Sequence, residues 1–153
     1  PAPRAATRSV LVRIDVATGE RTVLVDDPDA DLGLPAIASD GRSVAFTRET
    51  LSTPHRAPRI TLCVLPFGER PAELTSSWDR WPTSVTWTTD ATSLIVTADD
   101  NGRGPIFAVD PVSGTVRPVV ADDFTYTDVH AAPGGELLLR DDVRRALAAP
   151  PAR

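Results

Sequence analysis

Three aspartates at alternate positions, Asp27, Asp29 and Asp31, lie in the run Asp26-Asp-Pro-Asp-Ala-Asp-Leu-Gly33. Carboxylates so spaced at the head of a loop can converge on a calcium ion, which takes six to eight hard oxygen ligands. The match to a calcium loop is partial: the turn glycine comes one place late at Gly33, and the twelfth position is Ala38 where a bidentate glutamate belongs. The other reading is a solvated acidic connector, so these three are metal candidates and no metal or cofactor is expected. The two histidines, His55 and His130, each lack a nearby nucleophile or second ligand in sequence. His55 reads as a surface residue, and His130 as a strand residue facing a neighbouring sheet or a channel. Cys63 sits inside the apolar run from Ile60 to Leu65 and reads as a buried thiol acting as a small hydrophobe. Trp78, Trp81 and Trp87 could line a ligand site, but aromatics of this size more readily fill the wedge between packed sheets.

The elements that must position these residues are short strands. Apolar runs at Ser84 to Trp87, Leu94 to Val96, Ile106 to Val109 and Val116 to Val120 are rich in Val, Ile and Trp. They are separated by Thr89-Asp-Ala-Thr92, Asp99-Asp-Asn-Gly102 and Pro111-Val-Ser-Gly114, which are turn chemistries. The same order recurs upstream as Leu34 to Ala38, Ser43 to Thr47, Ile60 to Leu65 and Arg70 to Leu74. A longer excursion from Glu49 to Pro58 separates the second and third of these runs; such loops on a rigid scaffold often carry function. Residues 9–25 read as a hairpin, with alternating Val10, Val12, Ile14 and Val16 leading into Gly19. Tyr126 to His130 and Glu136 to Arg140 read as another hairpin about Pro133-Gly-Gly135, followed by an irregular tail over 141–153.

Two markers share one period. Gly41, Ala91 and Gly135 are 50 and 44 residues apart, and Gly19, Gly68 and Gly114 are 49 and 46 apart. Four strands per repeat with a period in the mid-forties is the pattern of blades set around an axis, whereas the repeats of a helical solenoid would carry an apolar periodicity near 3.6. The expected fold is all-β, a partial β-propeller of about three blades, each a four-stranded antiparallel meander. Its pieces are a half blade over 9–25, blades over 34–75 and 82–120, and a half blade over 126–140. An open fragment is expected over a three-bladed ring, leaving strand edges that invite self-association.

Composition excludes several roles. A net charge of −5 over 153 residues leaves no basic footprint, so nucleic acid is not an expected partner. No apolar run approaches the ~18 residues of a spanning helix, so no membrane segment is expected. A single cysteine cannot bridge within the chain, which favours a reducing compartment and a cytoplasmic location. With no methionine, the chain reads as a processed product or an excerpt, from which a targeting signal could have been lost.

The run Leu34-Pro-Ala-Ile-Ala-Ser-Asp-Gly-Arg-Ser-Val-Ala-Phe-Thr47 resembles the strand-turn-strand of the TolB-type, WD-like propeller repeat. Trp78-Asp-Arg-Trp-Pro82, Val85-Thr-Trp-Thr-Thr-Asp90 and Ala98-Asp-Asp-Asn-Gly-Arg-Gly-Pro-Ile-Phe107 resemble the N-terminal propeller of prolyl oligopeptidase-family serine peptidases. Within that family the acylaminoacyl peptidase and dipeptidyl aminopeptidase branches are the nearest in pattern. The resemblance runs from about Ser9 to Arg140. It implies a non-catalytic propeller that gates entry of peptides and docks an α/β-hydrolase domain, with the remaining blades and that domain as partners. No Gly-x-Ser-x-Gly elbow occurs in the sequence, and Glu49, Glu69 and Glu73 are scattered where the dipeptidyl branch pairs glutamates. No catalytic residue is therefore carried over, the substrate-binding residues are unassigned, and the chain by itself is expected to be inert. The alternative is a stand-alone TolB-type module for protein binding.

Overall fold

The computed structural model describes residues 9–120, 122 and 124–141. Its strands are β1 (Leu11–Ile14), β2 (Arg21–Val25), β3 (Ala30–Ile37), β4 (Ser43–Thr50), β5 (Ile60–Pro66), β6 (Ala72–Glu73), β7 (Pro82–Trp87), β8 (Leu94–Ala98), β9 (Ile106–Val109), β10 (Val116–Val120), β11 (Tyr126–Ala131) and β12 (Leu137–Asp141). Every pairing between them is antiparallel between sequence neighbours. The result is two four-stranded meanders, β3 to β6 and β7 to β10, flanked by the hairpins β1–β2 and β11–β12. The chain is all-β, a partial propeller.

Each complete sheet is apolar on both faces, and the period of two decides which neighbour each side chain meets. On β4 and β5, Val44, Phe46, Cys63 and Leu65 point back to Leu11 of the first hairpin. The alternate residues Ala45, Leu62 and Val64 point forward to Trp87, Leu94, Val96 and Val109 of the next sheet. Ile95, Ile106 and Ala108 then point forward to Val129 of the last hairpin. The core is thus three layers between sheets stacked side by side, as a fan of blades requires.

Several boundaries move from those read in the sequence. The first strand of the second blade begins at Ala30, ahead of Leu34, because Asp31, Leu32 and Gly33 pair with Glu49, Arg48 and Thr47. By the same pairing β4 runs on to Thr50, so the excursion that follows starts at Leu51 and not at Glu49. The expected strand from Arg70 to Leu74 contracts to Ala72–Glu73. Pro71 has no N–H to give, and Thr75 Oγ1 takes the Leu62 amide at 2.8 Å in place of a backbone carbonyl. Asp141 belongs to β12, and the rest of the expected irregular tail, 142–153, lies outside the described residues.

A bulge recurs on the first strand of three of the sheets, between Gly33 and Ala36 on β3, between Pro82 and Ser84 on β7, and between Thr127 and His130 on β11. Leu34 and Asp128 occupy equivalent positions in it and both have positive φ, 48° and 52°. Bulges bend and twist the strand that carries them.

Candidate functional site

At one end of the fan the turns are tight: 38–43, 88–93 and 132–136 between first and second strands, and 15–20 and 110–115 between third and fourth. At the other end lie the loops 51–59 and 99–105 and the connectors 26–29 and 74–81. A cleft of about 490 Å³ opens there between the 51–59 loop and the 74–81 connector, walled by Arg59, Trp78, Asp79, Arg80 and Trp81. Trp78 is held by an edge-to-face contact with Phe107, with centroids 5.0 Å apart and planes at 76°. Arg80 bridges Asp100 at 3.0 Å through Nη2 and donates from Nη1 to the Asp79 carbonyl, while its buried Nε has no hydrogen-bond partner. Trp81, which lines the cleft, is 48 % exposed. A flat aromatic face beside a guanidinium is suited to a peptide or carboxylate group.

The tryptophans divide. Trp87 fills the space between sheets, and its indole N–H donates across that space to the Ala36 carbonyl at 2.9 Å. Trp78 packs against the same core. Trp81 does not, which corrects the reading of all three as wedge fillers.

The three candidate aspartates are engaged separately. Asp27 meets Arg48 at 2.7 Å, an ion pair that raises the guanidinium pKa through the hydrogen bond from Arg48 Nε. Its other oxygen accepts the Asp29 amide at 2.9 Å. Asp31 is a β3 residue whose Oδ1 accepts the Ser9 amide at 3.0 Å. No group of three or more His, Cys, Asp or Glu that could hold a metal forms among the described residues.

His55 is exposed in a tight turn closed by Thr53 and Arg56, and His130 is exposed on β11 opposite Leu138. Cys63 is buried, and burial, with Glu73 adding to it, pushes its thiol up to about 11. A thiol so shifted stays protonated at neutral pH and is a poor nucleophile. Asn101 and Gly102 both take positive φ, 55° and 77°, in the expected Asn-Gly turn before β9. No helix among the described residues is long and apolar enough to cross a membrane. Sequence reasoning named Trp81 but missed Arg80 and Arg59; only the fold brings the loop beside the connector.

No protein-family model matches the chain. It is 28 % identical over 101 residues to an Aspergillus clavatus protein named as a dipeptidyl-peptidase 5, covering 59 % of this chain and 14 % of that protein. The Trichophyton schoenleinii dipeptidyl-peptidase 5 is 29 % identical over 76 residues, 49 % of this chain and 10 % of the relative. The chain therefore spans a small part of the relatives it matches. Among solved structures, a TolB-type protein of Agrobacterium tumefaciens superposes with a TM-score of 0.67 at 13 % identity, covering 90 % of this chain and 48 % of the other. Puromycin hydrolase superposes with a TM-score of 0.62 at 18 % identity, covering 78 % and 20 %.

Proposed function

Starting from a chain that is a partial propeller of the kind found in TolB and in prolyl oligopeptidase-family peptidases, we propose that it is the non-catalytic propeller segment of a serine peptidase. In this reading it gates access to, and docks, an α/β-hydrolase domain that this sequence does not contain. The observation that carries it is the 28 % identity over 101 residues to a dipeptidyl-peptidase 5. The cleft walled by Trp78, Arg80, Trp81 and Arg59 is the surface offered to peptides, with the aromatic faces taking apolar side chains and the guanidinium groups taking carboxylates. Catalysis belongs to the other domain, so this chain alone is inert. A cytoplasmic location belongs to the same proposal, on the single reduced Cys63.

The coding sequence beyond Arg153 tests the reading. Continuation into a Gly-x-Ser-x-Gly elbow followed by Asp and then His is expected. A frame that closes without one overturns it. So would hydrolysis of dipeptide substrates by the purified 153-residue chain. The second reading, a TolB-type binding module, is favoured by the superposition over 90 % of the chain; that second outcome of the frame is the one it requires.

A further inference from the structure

The cleft between the 51–59 loop and the 74–81 connector stands where the two complete sheets meet, and its side chains are of two kinds. Arg80 is already engaged: Nη2 bridges Asp100 at 3.0 Å, Nη1 donates to the Asp79 carbonyl at 2.6 Å, and Nε is buried. Trp78 is engaged too, edge-on to Phe107 and packed against the layer between the sheets. Arg59 and Trp81 are not. The Arg59 amide donates to Thr50 Oγ1 at 3.0 Å and its carbonyl accepts the Thr50 amide at 2.9 Å, but its guanidinium has no partner among the described residues. Trp81 is half exposed, and its indole N–H donates to nothing there.

We propose that Arg59 and Trp81 form a recognition pair for a peptide carrying one carboxylate beside an apolar side chain, with Arg80 and Trp78 holding the wall in place behind them. The inference rests on the reading of this cleft as a surface offered to peptides.

A guanidinium presents five N–H donors in a planar fork that matches both oxygens of a carboxylate. Arg80 has spent its fork on Asp100 and the Asp79 carbonyl, so Arg59 is the arginine with donors left for a ligand. Thr50 fixes the Arg59 backbone at the base of the loop, so binding has only the side chain to order. The exposed face of Trp81 takes the neighbouring apolar side chain, and its free N–H is left for a peptide carbonyl. A cleft of about 490 Å³ lies in the range that holds a small ligand, about two or three residues of a peptide.

The one carboxylate on the wall sets the upper limit of charge. Asp79 lines the same cleft, and its side chain pairs with no cation among the described residues. A second negative charge on the ligand would meet it, so the site favours a peptide with one carboxylate over a peptide with two. That carboxylate belongs to the peptide's C-terminus or to an acidic side chain, and the probes separate these sources.

Four probes are titrated into the 153-residue chain by calorimetry at low salt: acetyl-Ala-Phe with a free C-terminus, acetyl-Ala-Phe-amide, acetyl-Asp-Phe-amide and acetyl-Asp-Phe with a free C-terminus. At least one singly charged probe should bind about tenfold or more tightly than acetyl-Ala-Phe-amide, and which one does names the source. The doubly charged probe should bind more weakly than that one. Arg59→Gln, in an exposed loop, should erase the preference for the acid with an unchanged circular dichroism spectrum, and Arg59→Lys should restore part of it. Arg80→Gln should weaken all the probes alike and lower the melting temperature. Equal affinity for acid and amide probes overturns the proposal and leaves the cleft a peptide surface. A preference that survives Arg59→Gln overturns it as well, by giving the carboxylate to Arg80. Failure of every probe to bind overturns both the proposal and the peptide surface, while the reading as a peptidase segment still stands or falls on the coding frame.

Discussion

The complete sheet β7 to β10 and the hairpins that flank the row carry the same pattern in opposite surroundings. Val109 is 0 % exposed, while Ile14, which like it precedes an Asp-to-Gly turn closed by the same two backbone bonds, is 57 % exposed. Ile95, the second residue of β8, is 5 % exposed, and Leu138, the second residue of β12, is 65 %. Alternation of apolar residues makes a strand, but burial belongs to what stands on either side of it. The difference teaches that stability here is held by the layers between sheets and falls away toward both ends of the row.

The sharpest way to break that comparison is to empty one site of each kind. Leu62→Ala, in the layer between the complete sheets, should cost about 4 kcal/mol through lost burial and the cavity left behind. Ile14→Ala, on the flanking hairpin, should cost less than about 1 kcal/mol, since little area leaves water. Urea unfolding of both variants checks the pair, and equal costs would mean the hairpin is packed as tightly as the sheet.

Two glycines sharpen it at fixed backbone geometry. Gly19 and Gly114 end the same five-residue turn with φ of 73° and 71°. A Cβ on Gly19 meets open space, whereas one on Gly114 would lie within 2.2 Å of the Leu74 carbonyl oxygen on the neighbouring sheet. Gly19→Ala should therefore cost about 1 kcal/mol for the left-handed angle alone. Gly114→Ala should cost about 3 kcal/mol, because backbone must move as well. Thermal melts of the two variants give the ratio.

Local chemistry, by contrast, should not feel the difference. Asp110 is held below the ordinary carboxylate range by the amides of Ser113 and Val112, and Asp15 by the amide and hydroxyl of Thr18 and the amide of Ala17. Asp90, taken by the Thr88 hydroxyl and then by the amide and hydroxyl of Thr92, falls to about 2. A carboxylate whose folded pKa is depressed contributes stability in full above its unfolded value, roughly 3.9, and loses it as pH falls through the folded one. The acid limb of stability should thus include Asp90 between about pH 4 and about pH 2, with Asp15 and Asp110 contributing to the loss below about pH 4. Carboxyl NMR titration should find Asp15 and Asp110 shifted in the same direction, and an unshifted Asp15 would tie the effect to sheet packing.

What could be read from residues alone follows the same division. The period shared by Gly41, Ala91 and Gly135 and by Gly19, Gly68 and Gly114 exposed the blades, because a turn is a local event written in a few residues. Strand ends were less readable. Asp31 and Gly33 are poor strand formers, yet they extend β3 because β4 offers Glu49 and Thr47 as partners. Positive φ at Leu34 and Asp128 carries no glycine signal, since the bulge comes from the ladder and not from the residue. The cleft was half readable: Trp78 and Trp81 stand together in sequence, while Arg59 reaches them only through the fold.

Ala91 tests whether the repeat comparison extends to backbone strain. It takes φ 57° in the turn where Gly41 takes 68° and Gly135 takes 85°. An alanine there carries about 1–2 kcal/mol of steric cost that glycine avoids. Glycine in turn loses more backbone entropy on folding, about 0.5–1 kcal/mol. Packing opposes the change a little as well, because Ala91 rests on the layer between the complete sheets. Relief of the angle should exceed these opposing effects, so Ala91→Gly should raise the melting temperature by the smallest margin in this series, about 0.5 kcal/mol in stability. Gly41→Ala, whose added Cβ meets open space, should lower it for the same angle taken the other way. A fall in both variants would mean that the packing of the Ala91 methyl outweighs the strain, and that the complete sheets hold even their turns by contact.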